Sequence, residues 1–215
     1  VRKGPDKPKH NRRGRGAADR QDDEQQLAGV RIIGGKFRGR QLQYSGDPRT
    51  RPMKDRTREA IFNLIGIDVI GRHAFDLFAG TGALGLEALS RGAAQATLVE
   101  RHLPTRNLIK DNIRTLGVED RATAIFSDAF LFVRKLEPDP AGTPWVVFCS
   151  PPYDLFVDRR EDMLAMISCM VEKMPPGSTL VVEADDRFDT STLPATIAWR
   201  QREYPPAVVC IAEKT

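Results

Sequence analysis

From residue 73 onward, apolar runs of strand length alternate with runs of helical period, and that alternation admits few folds. Residues 73–78, 96–100, 122–126, 145–149 and 179–183 read as strands. Residues 83–91, 104–116, 129–136 and 159–173 read as helices, the first stopped by Gly92 and the second by Gly117. The chain closes on a β-hairpin, 195–202 and 207–212, with Pro205-Pro206 at the turn. Strands this apolar must be covered on both faces. The reading is therefore an α/β fold, a mainly parallel sheet with helices on either side.

The front of the chain differs. Residues 1–29 are rich in Lys, Arg, Asp, Gln, Gly and Pro and lack aromatics. Such a stretch cannot bury enough apolar surface to offset the entropy of ordering it, so it reads as a disordered basic tail. Residues 30–42 read as two short strands around a Gly34-Gly35 turn, and 44–52 as a loop. A helix starts at Asp55, with Ala60, Ile61, Leu64 and Ile65 on one face. The implied organisation is a tail over 1–29, a small β extension with a basic loop over 30–58, and the main domain over 59–215.

Charge follows the same division. Residues 1–20 hold eight Lys/Arg against two Asp, and 31–58 hold nine against two. Residues 59–215 hold 16 basic and 22 acidic side chains. A basic front on an acidic body points to a polyanionic partner. The tail's charge reads as solvating. In 31–58 the basic groups alternate with Gly and apolar residues, which favours nucleic acid.

Other classes drop out. A chain with 40% hydrophobic and 29% charged residues is not wholly disordered. No apolar run reaches the length of a membrane span, and the first thirty residues hold no apolar signal segment. Cys149, Cys169 and Cys210 form neither a disulfide framework nor a zinc motif, so a cytoplasmic setting and no metal are expected. Nothing in the sequence requires more than a monomer.

Two turns carry the chemistry. The first is Asp76-Leu77-Phe78-Ala79-Gly80-Thr81-Gly82-Ala83-Leu84-Gly85, between a strand and a helix. Its glycines let the backbone turn sharply and let a ligand approach. Gly80-x-Gly82-x-x-Gly85 also fits the dinucleotide fingerprint. Asp76 separates the two: a carboxylate beside the loop repels a pyrophosphate and welcomes an ammonium or sulfonium. S-adenosylmethionine carries both. Glu100 ends the next strand, where it can accept from both ribose hydroxyls, and Asp128 follows the third, placed for an adenine amine. Singly, Glu100 and Asp128 read equally well as a strand end or a helix cap. Three acids on one carboxyl edge mark a ligand site, because open α/β sheets bind there.

The second turn is Ser150-Pro151-Pro152-Tyr153, on the same edge. Its prolines fix the backbone and remove two N–H donors. The turn then offers acceptors: the Ser150 and Pro151 carbonyls and the Ser150 hydroxyl. Such a lining suits an exocyclic amine of a nucleobase, with Tyr153 as a stacking face. The plainer alternative is a strand-ending turn with a core tyrosine.

Asp76-x-Phe78-Ala79-Gly80-Thr81-Gly82 followed by a Pro-Pro-Tyr turn resembles the amino-methyltransferases that use S-adenosylmethionine. The runs Arg31-Ile32-Ile33-Gly34-Gly35-Lys36-Phe37-Arg38-Gly39-Arg40 and Arg51-Pro52-Met53-Lys54-Asp55-Arg56-Thr57-Arg58-Glu59-Ala60-Ile61-Phe62-Asn63, with residues 76–92, are similar to one family within them. It is the bacterial 16S rRNA guanine-N2 methyltransferases of the RsmD type, and the likeness runs from about Val30 to the C-terminus. The resemblance implies a class I methyltransferase (Rossmann-like) fold, with a seven-stranded, mainly parallel sheet and a small N-terminal β extension. It implies S-adenosyl-L-methionine as cofactor. It implies a guanine N2 amine in 16S rRNA, or in the assembling small ribosomal subunit, as target. By position, cofactor contacts fall on Asp76, Phe78, Gly80, Thr81, Gly82, Glu100, Arg101, Asp128 and Ala129. The catalytic turn falls on Ser150, Pro151, Pro152 and Tyr153. RNA contacts fall on Arg31, Lys36, Arg38, Arg40, Arg51, Lys54, Arg56 and Arg58.

Two features depart from that pattern. Ser150 stands where the family usually has Asp or Asn, and 29 residues precede the point where the family generally starts. Ser-Pro-Pro-Tyr does occur in amino-methyltransferases of cytosine N4 in DNA. A DNA amino-methyltransferase (cytosine N4 or adenine N6) and an RNA-binding assembly factor with weakened chemistry are the alternative readings. A nicotinamide-dependent oxidoreductase fails on Asp76 and leaves the Pro-Pro-Tyr turn unexplained.

Overall fold

The structure, a computed structural model, describes residues 29–47, 52–137 and 141–215. The disordered tail read over 1–29 lies, but for Gly29, outside these residues, as does the expected RNA contact at Arg51.

The chain opens with β1 (Val30–Arg31), β2 (Gln41–Leu42) and α1 (Asp55–Ile65). β3 (His73–Asp76), α2 (Ala83–Ser90), β4 (Gln95–Glu100), α3 (Leu103–Leu116) and β5 (Ala122–Phe126) follow in strict alternation. Then come α4 (Ala129–Lys135), β6 (Trp145–Cys149), α5 (Leu155–Asp158), α6 (Arg160–Lys173) and β7 (Thr179–Asp185). The hairpin of β8 (Trp199–Tyr204) and β9 (Ala207–Glu213) ends the chain. The main sheet has seven strands in the order β5-β4-β3-β6-β7-β9-β8. β3 to β7 pair in parallel, and β9 joins β7 antiparallel.

Side chains alternate across a strand, and here both sides find a core. Val146 and Phe148 of β6 join one apolar cluster with Ile61 and Phe62 of α1. Trp145, Val147 and Cys149 join the other, against Met163 and Ile167 of α6. Val30, Ile32 and Leu42 of the extension pack into the first cluster, so the extension is fastened to one face of the sheet.

Three elements differ from the reading of the sequence. The extension's strands do not fold around Gly34-Gly35: Val30 pairs with Leu42 and Arg31 with Gln41, across nine intervening residues. The glycine pair instead docks on the end of α2. Gly35 has φ +75°, and a Cβ there would stand 1.9 Å from the Ser90 carbonyl oxygen. Its absence lets the Lys36 N–H donate to that oxygen at 2.7 Å. The single-turn helix α5 is too short to leave a period in the sequence. β8 begins at Trp199 rather than 195, because 195–196 form a turn and the chain bends at 197 before it extends.

Glu87, in the middle of α2, is wholly buried. Its carboxylate accepts the Ile33 and Gly34 N–H groups, each at 2.7 Å, and the Arg91 guanidinium at 2.8 Å. Arg58 Nε lies 3.8 Å away. Arg58 was expected to face RNA, but it is itself fully buried. It donates to the Arg31 carbonyl at 2.6 Å and to Asp55 at 2.8 Å. It clamps the extension to α1 and is corrected here to a structural residue. Removing one partner of a buried ionic cluster strands the others without water. Glu87→Ala is expected to lower unfolding free energy by about 3–5 kcal/mol, read from urea denaturation.

Candidate functional site

Strand order reverses beside β3. The chain runs from β3 outward to β4 and β5, then crosses to β6 on the other side of β3. The loops leaving β3 and β6 part there and open a crevice at the carboxyl edge. A cavity of about 620 Å³ fills it.

The glycine turn lines one side with Phe78, Gly80 and Thr81. Gly80 and Gly82 both take positive φ, at 52° and 78°, which a side chain would resist. The end of β4 brings Glu100 and Arg101 to the cavity, and the start of α4 brings Asp128 and Ala129. Glu100 also braces the turn: it accepts the Gly80 N–H at 2.9 Å and the His102 N–H at 2.7 Å. Asp128 caps α4, accepting from Phe130 N–H at 2.9 Å. Both acids are thus a cap or brace and cavity-lining at once. A carboxylate has about four acceptor sites, so capacity is left for a ligand.

Asp76 and Gly82 do not line the cavity. Asp76 is buried beneath the turn, and its Oδ2 accepts the Gly85 N–H at 3.1 Å, near the start of α2. The Phe78 N–H favours the charged form but falls short of hydrogen-bond geometry, so Oδ1 is buried and unpartnered among the described residues. Burial first, with the Glu100 charge adding to it, pushes the Asp76 carboxyl up to about 7.

Ser150, Pro151, Pro152 and Tyr153 all line the cavity, facing the glycine turn. They are held by a residue the sequence reading passed over. Glu183, near the end of β7, is buried, and it accepts hydrogen bonds from the Ser150 hydroxyl and, at 2.7 Å, from the Tyr153 hydroxyl. Its signal was present: an acid at the end of an apolar strand, as at Glu100. Just beyond, Arg187 ties Asp154 to Asp185 at 2.9 and 2.7 Å and so fastens the turn to β7.

Met53, Lys54 and Thr57 form a further wall, opposite Tyr204, Pro205 and Pro206 of the β8–β9 turn. Among the described residues, Lys54 alone of the expected RNA contacts lines the cavity. Arg31, Lys36, Arg38, Arg40 and Arg56 are exposed outside it. Arg31 pairs with Asp55 at 3.1 Å, Arg40 reaches the Thr115 carbonyl at 2.9 Å, and Arg56 leans on the Pro205 carbonyl at 3.5 Å.

The family described as conserved hypothetical protein 95 matches residues 30–212. Ribosomal RNA small subunit methyltransferase D of Escherichia coli strain K12 is 42% identical over 125 residues. That alignment spans 58% of this chain and only 60% of the relative's own length. The Bacillus subtilis strain 168 protein YlbH is 36% identical over 188 residues, 86% of this chain and 99% of its own. Among solved structures, the E. coli protein yhhF superposes with a TM-score of 0.73 at 31% identity, covering 86% of this chain and 98% of its own.

The raised Asp76 carboxyl makes a pH prediction. A carboxyl with a higher value folded than unfolded holds its proton more tightly when folded. Its stabilising contribution is complete below about pH 4 and is lost as pH rises towards 7. Relative to Asp76→Asn, the unbound chain should lose up to about 4 kcal/mol of unfolding free energy between pH 4 and pH 8, by denaturation at each pH.

Proposed function

The chain belongs to the conserved hypothetical protein 95 family, that of the RsmD-type methyltransferases, and from that membership we propose that it methylates small-subunit ribosomal RNA. The donor is S-adenosyl-L-methionine and the acceptor the exocyclic N2 amine of a guanine in 16S rRNA, on the RNA or the assembling subunit. One observation carries the reading: the glycine turn after β3 and the acceptor turn after β6 open on a single cavity. The name of the E. coli relative, small-subunit rRNA methylation, agrees with it. We further propose a cytoplasmic monomer. Among the described residues no helix is long and apolar enough to cross a membrane.

The residues present fit that cofactor. Glu100 and Asp128 bring two carboxylates with spare acceptor capacity to the cavity, and Asp76 lies buried beneath the glycine turn, outside it. A ligand with cationic groups, hydroxyls and an amine suits such an edge. Glu100 would hold the ribose hydroxyls, Asp128 the adenine amine, and the glycine turn the methionine end. Bound there, the cofactor supplies an electrophilic methyl group on a sulfonium.

The chain's own residues prepare the acceptor. A guanine amine is a poor nucleophile because its lone pair is shared with the ring. The Ser150 hydroxyl and the Pro151 carbonyl accept its protons, fix the direction of the lone pair, and stabilise positive charge as it grows on nitrogen. Orientation of this kind is worth several kcal/mol, up to ~7–11 in ideal cases. Tyr153 and the Tyr204 wall offer faces to a base drawn out of its RNA context. Lys54 and the exposed arginines meet phosphates, so RNA affinity falls with salt.

The test is labelled methyl transfer to undermethylated small subunits, with nucleoside analysis of the product. Wild type should yield N2-methylguanosine. Tyr153→Ala should be slower by a factor on the order of 100, with cofactor affinity little changed. Label in N4-methylcytidine or N6-methyladenosine, or none at all, would contradict the reading.

A further inference from the structure

The two hydroxyls of the acceptor turn have one proton each, and both are taken by the same carboxylate. Ser150 Oγ donates to one oxygen of Glu183 and the Tyr153 hydroxyl donates to the other. Glu183 is only 4% exposed and reaches the cavity wall. With its proton committed, Ser150 Oγ turns only lone pairs to the cavity. Pro151 and Pro152 have no N–H to offer. The hydroxyls and the two proline residues of the turn therefore offer acceptors alone, and Glu183 makes the hydroxyls so.

We propose that Glu183 sets the polarity of this site: its carboxylate holds Ser150 as an acceptor, selects a ligand amine over a ligand oxygen, and receives through Ser150 the proton the amine sheds. The proposal deepens the methyl-transfer reading and rests on it. Glu183 acts through Ser150 and is a positioning residue. The proton step balances. The N–H bond of the methylated, cationic nitrogen breaks as a new Oγ–H bond forms. The former Ser150 proton leaves Oγ for Glu183 Oε2. The N–H electron pair stays on nitrogen and cancels its charge, and Glu183 ends neutral. Hydrogen bonds in such a chain polarise one another, so a negative charge behind Ser150 strengthens its acceptance.

Protonation of Glu183 reverses the arrangement. A neutral carboxyl can donate to Ser150 Oγ, which frees the serine proton to face the cavity. Burial raises the Glu183 carboxyl, while its two hydroxyl hydrogen bonds pull it back. On the strands beside it stand the Cys149 thiol of β6 and the Cys210 thiol of β9, with Glu213 at the far end of β9 opposite Thr179, and the Tyr153 phenol reaches it from the turn. Burial raises both thiols, Cys210 to about 11. Both thiols are neutral in acid. Asp185, further along β7, is tied to Arg187 at 2.7 Å. Asp76 lies two strands away and cancels when wild type is compared with Glu183→Gln.

The test uses the cofactor-free full chain and two probes, guanosine 5′-monophosphate and inosine 5′-monophosphate, which lacks the exocyclic amine. Affinities are measured by calorimetry from pH 5 to pH 8. Wild type should prefer the guanosine nucleotide by about tenfold at pH 8, and the preference should shrink as pH falls. Glu183→Gln and Ser150→Ala should each narrow that preference to about threefold or less and make it independent of pH, the remainder coming from the Pro151 carbonyl, and the double variant should match the singles. Thermal melts check folding, and Ser150→Ala leaves Glu183 in place should Glu183→Gln not fold. A preference undiminished in Ser150→Ala, an acid dependence that persists in Glu183→Gln, or no preference in wild type would overturn the proposal. Methyl transfer by wild type is scored separately, so failure of the broader reading is recognised on its own.

Discussion

The reversal of strand order beside β3 is the constraint on which everything else rests. β3 has β4 on one side and β6 on the other, and Asp76 stands level with Phe148 across that pairing. Whatever chain leaves β3 and whatever leaves β6 must emerge side by side. One of those exits is a glycine turn, which exposes backbone. The other is a Pro-Pro turn, which removes donors. Their juxtaposition is a property of the sheet rather than of either loop. Two segments more than sixty residues apart therefore share one cavity.

Three carboxylates, Glu87 and Glu183 buried and Glu100 half-buried, then fix the parts around that crevice. Glu100 braces the glycine turn, Glu183 braces the Pro-Pro-Tyr turn, and Glu87 anchors the extension. Each is a charge that burial would disfavour without several hydrogen bonds, so each sits where donors converge. Glu87 has a wider consequence. It lies in α2, which starts at the glycine turn and ends at Ser90, where the extension docks. Eight residues of helix, about 12 Å, set the distance between the cavity and the basic segment that faces outward.

Much of this was legible in the sequence because the strands and helices have different periods. The β5 and β6 boundaries agree to the residue, and both turns that line the cavity were located by their composition. What was misjudged depends on long-range contacts. Gly34-Gly35 looks like a hairpin turn until Ser90 is brought against it. Arg58 looks like its basic neighbours; only Glu87, far along the chain, makes it a buried anchor. Asp76 was read as facing the ligand, whereas its side chain turns under the loop to the start of α2. Glu183 was passed over because its meaning comes from Ser150 and Tyr153, thirty or more residues earlier.

The central claim is that the cavity presents acceptors to an exocyclic amine. It is tested most directly by a crystal structure of the protein with S-adenosylhomocysteine and guanosine. The account predicts the guanine N2 amine within hydrogen-bond distance of Ser150 Oγ and the Pro151 carbonyl, with Glu183 still bonded to Ser150. A guanine bound with its amine turned to solvent, or with its keto oxygen against Ser150, would contradict it.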